Sequence, residues 1–385
     1  MVVTDTAVIR PSQPSTPPPS TPQAAGIRAL EDHLRLVDDL VQARLASVTT
    51  MWEEATHDRE ARRAAGVPSI DLAATIDAMV RSGGKRIRPT LALLGHRIGG
   101  GRGLPTDLVT LGAALELLHT FALVQDDVMD HSSTRRGRPT AHVQLADLHR
   151  ERHGAGDSTR WGHSMAILAG DLAQAEAQDL MARVSPVVRR HWRLMVVELL
   201  HGQTRDLTGA AWRESDPERA LTTARLKSGA YTIQRPLELG ALVAGAGAAT
   251  LDPLSEYGEH LGIAFALRDD VLGVWGDPTL TGKPAGDDLM EGKPTLIMAL
   301  ATQRLGDLPL LKRVGTATLT PSDVQQLQHL LVECGIRDEI ENRIARHLSR
   351  GLSALDRLPR TDDDTDTDPV EALTTLAGRV AHRDC

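Results

Sequence analysis

Leu30, Leu34, Val37, Leu40, Val41 and Leu45 recur at spacings of mostly three and four residues, laying an apolar stripe along one side of a helix. Similar stripes return around residues 70–80, 86–98, 107–130, 160–184, 187–208, 215–246, 255–275, 293–305, 321–350 and 370–381. Strand-type alternation is hard to find, and Ala and Leu dominate. The breaks carry helix-ending residues: Gly83-Gly84, Gly99-Gly100-Gly101, Gly154-Ala155-Gly156, Asp216-Pro217, Asp277-Pro278, Pro284 and Pro321. The pattern predicts a single all-α domain over residues 27–385. Asp362 to Asp368, an Asp/Thr run ahead of Pro369, reads as a mobile acidic loop near its end.

Composition changes this picture at the edges. Residues 1–26, with their Pro/Ser/Thr run, lack the apolar centre of a signal peptide and read as a disordered tail. The longest apolar stretch, Leu108 to Val124, is interrupted by Glu116 and His119, so no clean membrane span is expected. A net charge of −8 without a basic tract argues against nucleic acid as a partner. Cys334 and Cys385 form neither a disulfide framework nor a metal spacing, which fits a reducing cytoplasm.

The candidate chemistry starts at the end of the 107–130 helix. Asp126 and Asp130 stand one helical turn apart with Asp127 beside them, and Arg135 and Arg136 follow within a few residues. Crowded carboxylates are costly to keep ionised unless a cation sits between them. Hard oxygen ligands suit Mg2+, which is commonly shared between one or two carboxylates and the phosphates of a substrate. The arginines supply the matching phosphate clamp. A solvated acidic helix end is the plainer alternative, but the acids follow Leu117-Leu118 and Phe121 to Val124, a run that looks buried.

Elsewhere the signals are weaker one by one. Lys85 and Arg88, three apart, fall on one side of an expected first helical turn, where free backbone N–H groups also favour anions. Gly202-Gln203 and Asp206 end one helix, and Lys227-Ser228 lie in the next. Two Gly…Gly-Lys-Pro strings, ending at Lys283 and Lys293, have five residues between their glycines and no preceding strand, which excludes a nucleotide P-loop. Phe265 to Asp270 repeats the opening logic, an apolar helix ending in the paired acids Asp269 and Asp270. Two acidic sets plus cations at several positions can enclose a diphosphate with metal ions.

In this order and spacing, Gly83 to Pro89, Asp126-Asp127-Val128-Met129-Asp130 with Arg135-Arg136-Gly137, Gly202-Gln203, Lys227-Ser228, and Phe265 to Asp270 followed by Gly282-Lys283 and Gly292-Lys293 resemble the trans-isoprenyl diphosphate synthases over roughly residues 30–355. The resemblance implies a homodimeric helical bundle with a central cavity, joining an allylic diphosphate to isopentenyl diphosphate. It implies that Asp126, Asp127 and Asp130 hold two Mg2+ and that Asp269 and Asp270 hold a third. Arg135, Lys227, Lys283 and Lys293 are then expected on the allylic diphosphate, and Lys85, Arg88, His119 and Arg136 on isopentenyl diphosphate. Gln203 and Ser228 are expected to face the allylic cation.

The chain departs from the family pattern in places. Gly273 stands where the second acidic motif has a third aspartate, Ala266 where glutamine is usual, Ser228 where threonine is usual, and Gln125 where histidine is frequent. Phe121, five residues before Asp126, is expected to form the floor of the tail pocket, with small Ala122 beside it, a pattern like that of geranylgeranyl diphosphate (C20) synthases. An ideal helix instead places Ala122 near the Asp126 face and Phe121 well round from it, which leaves ordinary core packing open for Phe121. C15 and C25 products, and a non-catalytic subunit suggested by Gly273, remain alternatives. Low aromatic content argues against a cyclase.

Overall fold

The computed structural model describes residues 22–55, 70–278, 285–359 and 368–381. Residues 1–21, Lys283, Cys385 and the acidic run at 362–367 lie outside the described residues. In chain order the helices are α1 (Pro22–Ala55), α2 (Leu72–Arg81), α3 (Ile87–Ile98) and α4 (Thr106–Met129). A short hairpin, β1 (Thr134–Arg135) and β2 (Arg138–Pro139), leads into α5 (Ala141–Glu151), α6 (Ser158–Met181) and α7 (Pro186–Trp212). Then come α8 (Pro217–Ala224), a π-helical segment (Arg225–Gln234), α9 (Arg235–Val243) and α10 (Ala248–Trp275). The last are α11 (Asp287–Glu291), α12 (Leu296–Leu305), α13 (Pro309–Arg313), α14 (Pro321–Glu333), α15 (Ile336–Leu355) and α16 (Pro369–Ala381).

The all-α expectation holds, with local corrections. Helix α1 starts at Pro22, inside the stretch read as tail. The stripe at 321–350 is two helices, because Gly335 takes a left-handed φ of 68° between α14 and α15. Helix α5 and the hairpin had no periodic apolar signal, since α5 buries Ala and His with a single Leu and each strand has two residues. The hairpin turns through Arg136 and Gly137, at φ 54° and 70°, the double left-handed turn that suits a right-twisted strand pair.

Helix α4 is the axis of the bundle. Leu108, Leu111, Leu115, Leu117 and Leu118 are fully buried, so the helix lacks a polar face and packs against α1, α3 and α6. It is long and apolar enough to cross a membrane, yet 72% of that stretch is buried within the protein, as a core helix requires. One apolar cluster joins α1, α2, α4, α6 and α7, and a second joins α3, α9, α10, α12, α14 and α15.

His33 of α1 lies wholly inside the first half of the molecule, its Nε2 3.2 Å from the carbonyl oxygen of Pro89. Burial lowers its pKa to about 4 from an ordinary 6.5. Between those values the unfolded chain binds the extra proton, so stability present above pH 6.5 is lost as pH falls towards 4. From pH 7 to 5 the loss from this residue is expected to be about 1–2 kcal/mol. Thermal melts at both pH values test this: the acid-induced drop in melting temperature should be smaller in His33→Gln than in the wild type.

Candidate active site

The ends of α4, α7 and α10, the π-helical segment and the start of α3 converge on a cavity of about 830 Å³. Asp126 enters it from α4. Its Oδ1 accepts from Gln203 Nε2 at 3.3 Å and lies 3.1 Å from Lys227 Nζ, which also donates to Asp206 Oδ2 at 2.6 Å. Burial works against its charge, but Lys227 and Arg135 outweigh it and hold the carboxyl below its ordinary pKa. Asp130, one turn on, is raised to about 6 by burial and by the charge of Asp126.

Asp127 takes a different part. It is 1% exposed, does not line the cavity, and its Oδ1 accepts from Arg135 Nε at 2.7 Å. A step of 100° turns it from the shared face of Asp126 and Asp130 towards the hairpin. There it anchors Arg135, whose guanidinium also lies 3.6 Å from Asp126.

Lys227 and Ser228 sit in the π-helical segment, a widened turn within an otherwise continuous helical run, a feature that often marks functional sites. Neighbouring glycines bring that segment close. A Cβ on Gly202 would lie 2.4 Å from the backbone nitrogen of Lys227, and one on Gly229 would lie 2.7 Å from the backbone of Gly262. Any side chain there would push the lysine away from Asp126.

Across the cavity, Asp269 and Asp270 project from α10, and burial followed by the charges of Asp288 and Asp269 raises the Asp270 pKa well above its ordinary value. Lys293 Nζ lies 3.0 Å from Asp288 Oδ1 and 2.8 Å from Glu291 Oε2, and these acids raise its pKa despite its burial. Asp288 escaped sequence reasoning, although an acid pair between Gly286 and Gly292 was visible in the rejected phosphate-loop string.

The second cationic set surrounds the 83–88 loop. Lys85 is exposed and precedes α3, so it does not share a helical turn with Arg88; the helix begins only at Ile87, after Arg86 at a left-handed φ of 46°. Arg86 is held by Glu116 Oε2 at 2.6 Å and Asp38 Oδ1 at 3.0 Å. Arg88 donates to Thr232 Oγ1 at 2.8 Å, and its guanidinium lies 4.2 Å from the ring centroid of Tyr231. The Tyr231 hydroxyl is 3.1 Å from His119 Nδ1. Burial and then Arg88, Arg136 and Arg135 keep His119 neutral, its pKa well below 6.5. Arg136 packs on Gly84, where a Cβ would sit 3.3 Å from its Nη2. Tyr231 and Thr232 carried no separate signal, whereas Glu116 was visible as a charge inside an apolar run.

Phe121 is 7% exposed and packs in the α4 core, while Ala122, Leu123 and Leu199 line the cavity. Ideal helical angles place Ala122 near the Asp126 face and Phe121 well round from it.

The donor set fits Mg2+. Burial and then the charge of neighbouring acids raise Asp130 and Asp270, a cost that a divalent cation between carboxylates relieves, and carboxylates supply the hard oxygens that Mg2+ prefers. Among the described residues no three Asp, Glu, His or Cys side chains converge closely enough to hold a metal unaided. Mg2+ suits such a site, because phosphates and water complete its shell.

A helical bundle around a cavity with two acidic sets and two cationic sets defines a diphosphate-handling transferase. The chain belongs to the polyprenyl synthetase family, whose model matches residues 71–331, and it is a trans-prenyltransferase. A geranylfarnesyl diphosphate synthase of Aeropyrum pernix is 32% identical over 319 residues, covering 79% of this chain and 92% of that relative. A (2E,6E)-farnesyl diphosphate synthase of Mycobacterium tuberculosis is 31% identical over 311 residues, covering 78% of this chain and 80% of its own length. The solved geranylgeranyl pyrophosphate synthase of Corynebacterium glutamicum, complexed with isoprenyl diphosphate and magnesium, is 36% identical with a TM-score of 0.79, over 90% of this chain and 98% of that one.

Proposed function

We propose that this prenyltransferase condenses isopentenyl diphosphate head to tail with dimethylallyl, geranyl and farnesyl diphosphates, with geranylgeranyl diphosphate as its main product. The observation that carries this reading is the facing of Asp126 with Lys227 and Asp269-Asp270 with Lys293 across one cavity, beside a separate cluster of Arg88, Arg136 and His119. Three Mg2+ are proposed, held by Asp126 and Asp130 on one side and Asp269 with Asp270 on the other. When bound, they would neutralise the allylic diphosphate and make it a better leaving group.

The chain's own groups do the rest. Lys227, Lys293 and Arg135 take the charge that grows on the departing diphosphate, which leaves with the C–O bonding electrons. Lys283 is assigned the same role by resemblance alone. Arg88, Arg136 and Lys85 grip the second diphosphate, and neutral His119 offers a ring N–H without adding a charge to the arginines. The double bond of isopentenyl diphosphate, held beside the allylic cation, attacks it, and a proton then passes to the released diphosphate. Gln203 and Ser228 turn dipoles towards the cation. The small Ala122 and the Leu123 beside it, lining the cavity, support a C20 tail, while the named relatives span C15 to C25 products.

A homodimer working in the cytoplasm is proposed as well. Ile167 and Leu168 on α6 and Leu194, Val197 and Leu200 on α7 are exposed apolar side chains at helical spacing, suited to a second copy of the chain.

Purified protein with Mg2+, isopentenyl diphosphate and labelled dimethylallyl diphosphate is expected to accumulate C20 diphosphate. Chelation by EDTA should stop turnover and added Mg2+ restore it. No elongation without another protein would refute the catalytic reading in favour of a subunit role; a C15 or C25 end point would overturn only the length.

A further inference from the structure

Gly273 follows Asp269 and Asp270 by one turn of α10, where the family pattern has an acid. The space its side chain would fill is already taken. A Cβ on Gly273 would lie 1.9 Å from Oδ2 of Asp288, 2.4 Å from its Cγ and 2.9 Å from its Oδ1. The carboxylate of Asp288 therefore occupies the volume where a side chain at 273 would begin.

The position of Asp288 is built rather than accidental. Helix α11 is a single turn framed by Gly286 and Gly292, both at left-handed φ (82° and 71°), and anchored by fully buried Leu289. The backbone oxygen of Asp288 accepts from Lys293 N at 3.0 Å, and its Oδ1 accepts from Lys293 Nζ at 3.0 Å. These two bonds fix the carboxylate with Oδ2 towards α10. Asp288 lines the same cavity as Asp269 and Asp270, with 13% of its side chain exposed.

We infer that Asp288 supplies the third carboxylate of the second acidic set, reaching from α11 into the place left by Gly273 to help hold the divalent cation at Asp269 and Asp270. This rests on the Mg2+–diphosphate reading of the site. Gly273 is then a complement of Asp288 and no gap in the metal site. A side chain at 273 would have to displace a carboxylate clamped by Lys293.

The test is calorimetric titration of inorganic diphosphate into the full chain, with and without Mg2+, beside a thermal melt of each variant. Asp288→Asn, which keeps the shape and an acceptor for Lys293, is expected to weaken Mg2+-dependent diphosphate binding roughly tenfold or more, while binding without Mg2+ does not weaken, because a negative charge beside Lys293 has been removed. Gly273→Asp alone is expected to weaken it as well, because the new side chain collides with Asp288. Gly273→Asp/Asp288→Ala returns one carboxylate to α10 and should recover binding to within about threefold of wild type, the room left by its altered reach. Unchanged Mg2+-dependent binding in Asp288→Asn, or a double variant no better than Gly273→Asp, overturns the inference. If Asp288→Asn does not melt cooperatively, the double variant decides by the same criterion. Asp126→Ala, run in parallel, separates the two levels: loss there but not in Asp288→Asn overturns the inference alone, and no loss in either overturns the Mg2+–diphosphate reading.

Discussion

Asp126→Ala is expected to lower kcat by about a thousandfold, the scale on which removing one preorganised charge-stabilising group acts, with little change in melting temperature. Asp126 is the meeting point of the first acidic set, since Gln203, Lys227 and Arg135 all lie within 3.6 Å of it. Its removal should leave the surroundings standing. Lys227 keeps its bond to Asp206 at 2.6 Å, and Arg135 keeps Asp127. The effect should therefore fall on the reaction and on the Mg2+ concentration needed for half-maximal rate. Steady-state rates across a Mg2+ series check this, and near-wild-type turnover would remove Asp126 from the metal site.

Arg135→Met should show the opposite balance, with a large loss of stability accompanying the loss of activity. Asp127 is 1% exposed and bonded to Arg135 at 2.6 Å, so deleting the guanidinium removes the cation that balances a buried carboxylate. Breaking such a pair from one side costs about 3 kcal/mol, taken at the low end because 22% of the Arg135 side chain reaches solvent. Removing the partner as well, in Arg135→Met/Asp127→Leu, should return most of the stability but not the activity, because the cavity still lacks a cation. Denaturant unfolding of the three proteins distinguishes these outcomes. Equal stability in Arg135→Met and wild type would mean that the pair anchors nothing.

The fold was legible wherever a helix buries one stripe. Helices α2, α3, α4 and α7 lie within a few residues of the apolar runs that announced them, because a period of 3.6 in the sequence is a face in space. The hairpin was not, because its strands have two residues each, and neither was α5, whose buried face is Ala and His with a single Leu and so makes no apolar stripe. The π-helical segment was invisible as well. It packs closely against α7 and α10 through Gly202, Gly229 and Gly262, residues that are distant in sequence.

Within the site, the residue types and their order determined the chemistry. Paired acids at the ends of apolar helices, with cations at fixed offsets, pointed to metal and diphosphate from the sequence alone, and the helical step already favoured Ala122 over Phe121 as the residue beside Asp126. Only the tertiary structure could decide which acid faces which partner. Asp127 turns to Arg135, Glu116 holds Arg86, and Asp288 comes from another helix to stand where Gly273 has no side chain. A spacing rule reads neighbours along one helix, whereas these pairs are set by how separate helices pack, and charge acts through space whatever the separation along the chain.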